Sequence, residues 1–257
     1  MTSTLIDIPA LHATSAAAHL SGRYHFYSTS QLIEPLLADH WEVTQASQVR
    51  SKHYNPHGKH LVRITHEKLQ LGADRLEAVI RNSHDGTSKL EVMLGAWRFV
   101  CSNGIFVGTE FARAAIQHTR AFEYVQNKAE ELITHAPQVA AVFDAWKSRD
   151  TTEDERLALA VSAAQIRWNH LNKPEVKLPI EPKSLLDVRR HEDRHNDLWT
   201  VFNRIQENVM TGGISRLNDR RRVRGIRAID ETVRINKALW AASEAIYGPI
   251  SGIALAS

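Results

Sequence analysis

The chain has 257 residues, 43% hydrophobic and 24% charged, the balance of an ordinary globular protein with room for one large domain or two small ones. Its formal net charge is only +3, so a polyanionic partner has to be read from local clusters of basic residues. One cysteine, Cys101, excludes an intramolecular disulfide and a cysteine-based zinc site within one chain, and fits a reducing compartment.

The first twenty residues lack the basic stretch and apolar segment of a secretion signal, and no run of about 18 apolar residues occurs. A cytoplasmic protein with no membrane partner is expected. Residues 22–29, aromatic and alternating, predict a strand, and Ser30 is placed to cap a short helix over 31–40. Residues 59–66 alternate and predict a second strand. Over 76–108, two apolar runs flank Ser83-His84-Asp85-Gly86-Thr87, and Asp-Gly is a strong hairpin turn signal.

From about residue 109 the apolar spacing becomes helical. A third helix is expected over 151–171, where a capping signal and acidic residues precede an apolar run. Residues 172–183 carry three prolines and read as a linker. Ser184 and Asp187 fit a capping pattern, so a helix is expected from about 185 until Gly212-Gly213 ends it, with a last helix over 230–248. The fold class is therefore α+β: an N-terminal antiparallel sheet with a β-hairpin at 76–104, followed by packed helices and a C-terminal helical region. The division expected is 20–171 as a sheet-plus-helix core and 184–250 as a helical region with an arginine-rich loop, two parts that could pack as one domain.

His191-Glu192-Asp193-Arg194-His195 matches the H-E-x-x-H pattern of zinc peptidases. On the expected helix, His191 and His195 share one face, near the apolar stripe continued by Leu198, Phe202, Ile205 and Val209. Three features weigh against a metal-dependent hydrolase. A third ligand is missing, since Glu207 falls on the opposite face and only a remote group such as Glu231 could serve. The intervening Asp193 and Arg194 are charged. With 14 histidines, a chance match is unremarkable. The pair is kept as a minority metal candidate; no metal and no catalytic residue is assigned.

Ser83-His84-Asp85 has the letters of a catalytic triad, but three consecutive side chains cannot converge, and turn chemistry is the better reading. Cys101, at the end of an apolar strand, reads as a small buried hydrophobe rather than a nucleophile. Neither a phosphate-binding loop motif nor a dinucleotide fingerprint occurs, so no cofactor is expected.

The most charged stretch is 216–237. It holds Arg216, Arg220, Arg221, Arg222, Arg224, Arg227, Arg234 and Lys237 against Asp219, Asp230 and Glu231, a local excess of positive charge greater than that of the whole chain. Arginine presents a planar fork of donors that fits phosphate and stacks on bases. Such a segment could track a nucleic-acid backbone without reading sequence. A solvated loop, or an arginine network at a subunit interface, is the bland alternative.

Two blocks carry a family resemblance. One is residues 82–104, NSHDGTSKLEVMLGAWRFVCSNG. The other is LWTVFNRIQENVMTGG at 198–213 with RRRVRGIRAIDETVRINKALW at 220–240. They resemble the phage- and plasmid-associated family catalogued as domain of unknown function 932, over roughly residues 20 to 245. The resemblance implies a mobile-element setting in a bacterial host. A weaker, fold-level analogy connects the chain to Rad52-like single-strand annealing proteins, which form rings around single-stranded DNA and need no ATP.

The expected function is therefore single-stranded DNA binding or annealing in phage or plasmid recombination, by a self-associating protein. Arg216, Arg220, Arg221, Arg222, Arg224, Arg227 and Arg98 are the DNA-binding candidates. A module that inhibits a host defence or replication protein is the alternative. Asn82, His84, Asp85, Asn103, Asn203, Gln206, Glu207, Asn208 and Asn236 form a polar set of motif positions, suited either to a buried structural network or to a ligand cleft.

Overall fold

A computed structural model describes residues 8–51, 53, 55–71, 74–98, 105–106, 114–116, 121–169, 177–219 and 221–247. The chain divides into two compact units. The first comprises 1–99 and 110–136 with residue 257; the second comprises 100–109 and 137–256. The protein is an α+β fold.

The first unit is an antiparallel sheet preceded by one helix. Helix α1 (Thr29–Ala38) is capped by Ser28, whose hydroxyl accepts from the Gln31 amide. Strand β1 (Glu42–Gln48) pairs with β2 (His60–Thr65), and β2 pairs with β4 (Asp74–Asn82). The short β3 (Gln70–Leu71) pairs with the start of β4, β4 pairs with β5 (Leu90–Arg98), and β7 (Ala114–Ile116) pairs with β5. The hairpin β4–β5 forms where Asp85-Gly86 predicts it, and Gly86 takes the positive φ of 77° that the turn requires. Asp85 accepts from the Thr87 amide at 3.0 Å, and Ser83 Oγ accepts from the Ser88 amide at 2.8 Å. These residues shape a turn, as turn chemistry predicts.

Three expectations need correction here. Residues 22–28 are irregular rather than a strand; their place in the sheet is taken by β1, whose sequence EVTQASQ has too few apolar residues to announce itself. The helix expected from 109 is preceded by strand β7, and the helix α2 (Ala121–Lys147) begins later. Helix α1 starts earlier than expected, because Ser28 and not Ser30 caps it.

The sheet buries charge as well as apolar surface. Every residue of β2 is buried. Arg63 stands between Glu77 on β4 and Gln45 on β1: its Nε reaches Glu77 Oε2 at 2.5 Å, and its Nη1 donates to Gln45. Arg75 Nη2 lies 2.6 Å from the other oxygen of Glu77, which is fully buried. A second polar knot joins the sheet to α1. Thr29 Oγ1 lies 2.8 Å from His60 Nε2 and accepts from Asn82 Nδ2 at 3.0 Å. The rings of His60 and His84 stand 4.9 Å apart, and His84 Nε2 is 3.1 Å from the Ala10 carbonyl. Burial drives both imidazoles down to about 4, His84 further depressed by His60 and His57, with Asp85 opposing in each case.

The second unit is helical. It holds the rest of α2 from Pro137, α3 (Glu153–Trp168), α4 (Leu198–Thr211) and α5 (Ile229–Tyr247), with the short strand β6 (Ile105–Phe106). Thr152 and Glu155 form a full capping box at the N-terminus of α3, where the sequence places a capping signal. Helix α4 is the core: every residue from Leu198 to Met210 is buried. Around it Phe143 stacks on Trp199 at 4.3 Å and Trp146 on Trp240 at 4.4 Å.

Two measurements test this packing. Glu77→Ala leaves the Arg63 guanidinium buried without its carboxylate, so urea denaturation should show a loss of about 3–5 kcal/mol; a loss under about 1 kcal/mol would mean that the charge cluster is not a supporting contact. His60 and His84 bind protons more weakly folded than unfolded. Their contribution to stability is complete above the unfolded value near 6.5 and is lost as pH falls from there toward 4. The wild-type urea midpoint should thus drop between pH 7 and pH 5 by more than that of His60→Gln, and equal drops would contradict the buried neutral pair.

Candidate nucleic-acid interface

The site starts from the end of α4. Its C-cap, Gly212, has φ 70°, and a Cβ built there would sit 2.5 Å from the Val223 carbonyl oxygen. A Cβ on Gly225 would meet the Thr211 carbonyl oxygen at 2.8 Å. Only glycine at both positions allows the chain to fold back this closely on the helix end. Four backbone hydrogen bonds hold the returning chain. The Gly213 amide donates to Val223 O at 2.8 Å, Val223 donates to Ile214 O at 2.9 Å, Arg216 donates to Arg221 O at 3.1 Å, and Ile226 donates to Met210 O at 2.8 Å. Residues 213–216 and 221–223 are therefore paired as the two sides of a hairpin arm rather than a loose loop.

Two more arginines pin the arm down. Arg167, near the end of α3, donates to the carbonyls of Val209 and Arg224. Burial pulls its guanidinium down to about 10, with Glu231 opposing, so it keeps its charge at neutral pH. Arg189 donates to Asn208 Oδ1 at 2.5 Å and to the Gly212 carbonyl. These contacts satisfy carbonyls that the end of α4 leaves without helical partners.

Beside the arm lies a groove of about 590 Å³ lined by Arg167, Trp168, Lys177, Pro179, Arg216, Arg221, Arg222, Val223 and Arg224. Six of the nine lining residues are cationic and none is acidic. A second recess of about 540 Å³ shares Arg216 and Arg222 and includes Glu181 and Asp187, so its charge is mixed. Of the sequence candidates, Arg216, Arg221, Arg222 and Arg224 come together in the groove and are exposed. Arg216 also pairs with Asp219 at 3.5 Å across solvent, a contact of little energetic weight. Arg227 is exposed but does not line the groove. Arg220 lies outside the described residues, as does the side chain of Arg98, whose backbone ends β5 opposite Asp74 in the first unit.

Sequence reasoning missed Arg167, Trp168 and Lys177. Trp168 and Arg167 extend the apolar spacing of Leu159, Ala160, Ala163 and Ala164, so periodicity assigns them to the core. The structure carries the helix end past that core and into the groove.

The stretch 191–195 is not α-helical. His191–Arg194 is a single 3-10 turn, His195 is extended at φ −65° and ψ 151°, and both histidines are exposed. The helix starts only at Leu198, capped by Asp197, which accepts from the Thr200 amide at 2.8 Å. The reason lies in the backbone partners. Arg204 holds the carbonyls of Asp193 and His195 at 2.5 and 2.7 Å, and Thr151 donates to Asn196 O at 2.9 Å, which fixes this segment as a strap without α-helix. Residues 182–186 form a 3-10 turn, so Ser184 does not begin a helix. The one-turn spacing that a shared metal face needs is therefore absent. Glu231 pairs with Arg234 at 2.6 Å. Among the described residues no group of three or more His, Cys, Asp or Glu side chains is placed to hold a metal.

The polar motif set falls into two networks. Asn82, His84 and Asp85 belong to the turn and knot of the first unit. Asn203, Gln206, Glu207, Asn208 and Asn236 belong to α4 and α5 of the second. Asn208 donates to the carbonyls of Leu185 and Asp187 at 2.9 and 2.8 Å; Gln206 donates to Asn236 Oδ1 at 3.0 Å; Asn203 donates to Trp199 O at 2.7 Å; Arg190 pairs with Glu207 and, at 3.2 Å, with Asp193. These residues tie the strap and α5 to the central helix. Asn103 and Cys101 lie outside the described residues.

No helix among the described residues is long and apolar enough to cross a membrane. No solved structure matches the chain. Two Escherichia coli (strain K12) proteins are similar to it: UPF0380 protein YafZ, 32% identical over 251 residues, and UPF0380 protein YfjQ, 31% identical over 245 residues. Each alignment covers 93% of this chain and 88% of the relative. The profile of the family described as "Domain of unknown function (DUF932)" matches residues 16–240, which takes in both motif blocks, the strap and the arginine arm. The chain belongs to the DUF932 family.

Proposed function

We propose that this protein binds single-stranded DNA along the arginine arm and serves, without ATP, in strand annealing or recombination for a phage or plasmid. The observation that supports this reading best is the groove beside the arm, with six cations and no carboxylate in its lining. Clustered arginines on a fixed backbone neutralise successive phosphates and release their counterions, which gives affinity without sequence preference. The arm's geometry favours this use over a solvated loop, because its cations are held on a hydrogen-bonded hairpin instead of spreading apart by mutual repulsion. Self-association into a ring belongs to the same reading, as does action in the bacterial cytoplasm.

The test is fluorescence anisotropy with a labelled oligothymidine across salt concentrations. Wild-type protein should bind at low salt, with affinity falling steeply as salt rises. Replacing both Arg221 and Arg222 with Ala should weaken binding at least about tenfold and flatten the salt slope by roughly 1–1.5, about 0.7 for each phosphate no longer neutralised. Absence of binding by the wild type at low salt would refute the proposal, as would binding that these substitutions leave unchanged.

A further inference from the structure

The tryptophans whose side chains are described are used unequally. Trp41, Trp146, Trp199 and Trp240 are all buried, at 3% exposure or less. Trp168 is different: it is only partly buried, and it lines the cationic groove. It is the last residue of α3, and the next residue, Asn169, closes the helix by donating its amide to Gln165 O at 2.7 Å. The Arg167 guanidinium lies 4.6 Å from the Trp168 ring centroid. That guanidinium is itself held by the carbonyls of Val209 and Arg224. An indole is thus set at a helix end, beside a fixed cation, among arginines suited to phosphates.

The Arg167 guanidinium accounts for part of that ring by a cation–π contact, and the part that lines the groove is apolar surface that phosphates alone do not use. A nucleic acid whose bases are unpaired does use it. Its phosphates meet the arginines of the arm while a base stacks on the indole, an interaction open to any base and closed to bases already stacked in a duplex. Resting on the reading of the groove as a DNA site, we infer that Trp168 is a base-stacking residue, and that it makes the groove prefer single-stranded over double-stranded DNA. The arginines supply attachment, and the indole supplies discrimination.

The experiment compares wild type, Trp168→Ala and Trp168→Phe on a single-stranded oligonucleotide and on a duplex of the same length, with salt slopes for each. Trp168→Ala should weaken single-strand binding by about tenfold while leaving duplex affinity and both salt slopes as in the wild type. Trp168→Phe, which keeps a ring, should recover most of the loss. Oligothymidine should quench part of the wild-type tryptophan emission, and that component should be missing from Trp168→Phe. Unchanged single-strand affinity in Trp168→Ala would overturn the inference while leaving the DNA-binding reading intact. So would an equal loss on both substrates, since that marks a merely structural role. If the wild type binds neither substrate, the reading of the groove falls and this inference with it.

Discussion

The close approach of the chain to the C-terminal end of α4 is the constraint from which the rest of the candidate site follows. A helix end leaves carbonyls unpaired, and α4 is buried along its length up to Met210. The chain answers with its own backbone and with arginines. Gly212 and Gly225 bring the two passes of backbone within hydrogen-bonding distance, and Arg167 and Arg189 cap what remains. Cations and helix carbonyls attract, so the same contacts that finish the helix concentrate positive charge beside it. The groove is a consequence of ending a buried helix this way.

The polar side of α4 has a complementary task. Asn208, Glu207 and Gln206 would be costly inside a helical core if left alone. Each fixes a neighbour: residues 185–190 through Asn208 and Glu207, and α5 through Gln206 and Asn236. The motif FNRIQEN thus makes sense as construction. It positions Arg189 and Arg190, and through Arg189 the base of the arm.

How far the sequence foretold this depended on the range of the interactions involved. The hairpin around Asp85-Gly86, the capping box of Thr152 and Glu155, and the glycine stop of α4 were readable, since each is decided by residues within a few positions. Strand β1 was hidden because its burial comes from its partner β2 and not from its own composition. The strap over 187–197 was hidden for a stronger reason. Its spacing is helical, but Arg204 and Thr151, both outside the segment, take the carbonyls that a helix would use. Tertiary hydrogen bonds overrode local preference, and the apparent zinc motif dissolved with the helix that would have displayed it. In the groove, the arginines of 216–224 were legible as a charge cluster. Trp168 was not, because helical periodicity cannot tell a core position from one that overshoots the core at a helix end.

The proposed DNA site is one surface, formed by the end of α3, the 177–179 segment and the arm. Photocrosslinking of a bromodeoxyuridine-substituted single strand to the full-length protein, followed by peptide mapping, tests that placement directly. Crosslinked peptides should come from 167–168 and 216–224. Crosslinks confined to peptides elsewhere in the chain, or no crosslink at low salt, would contradict it.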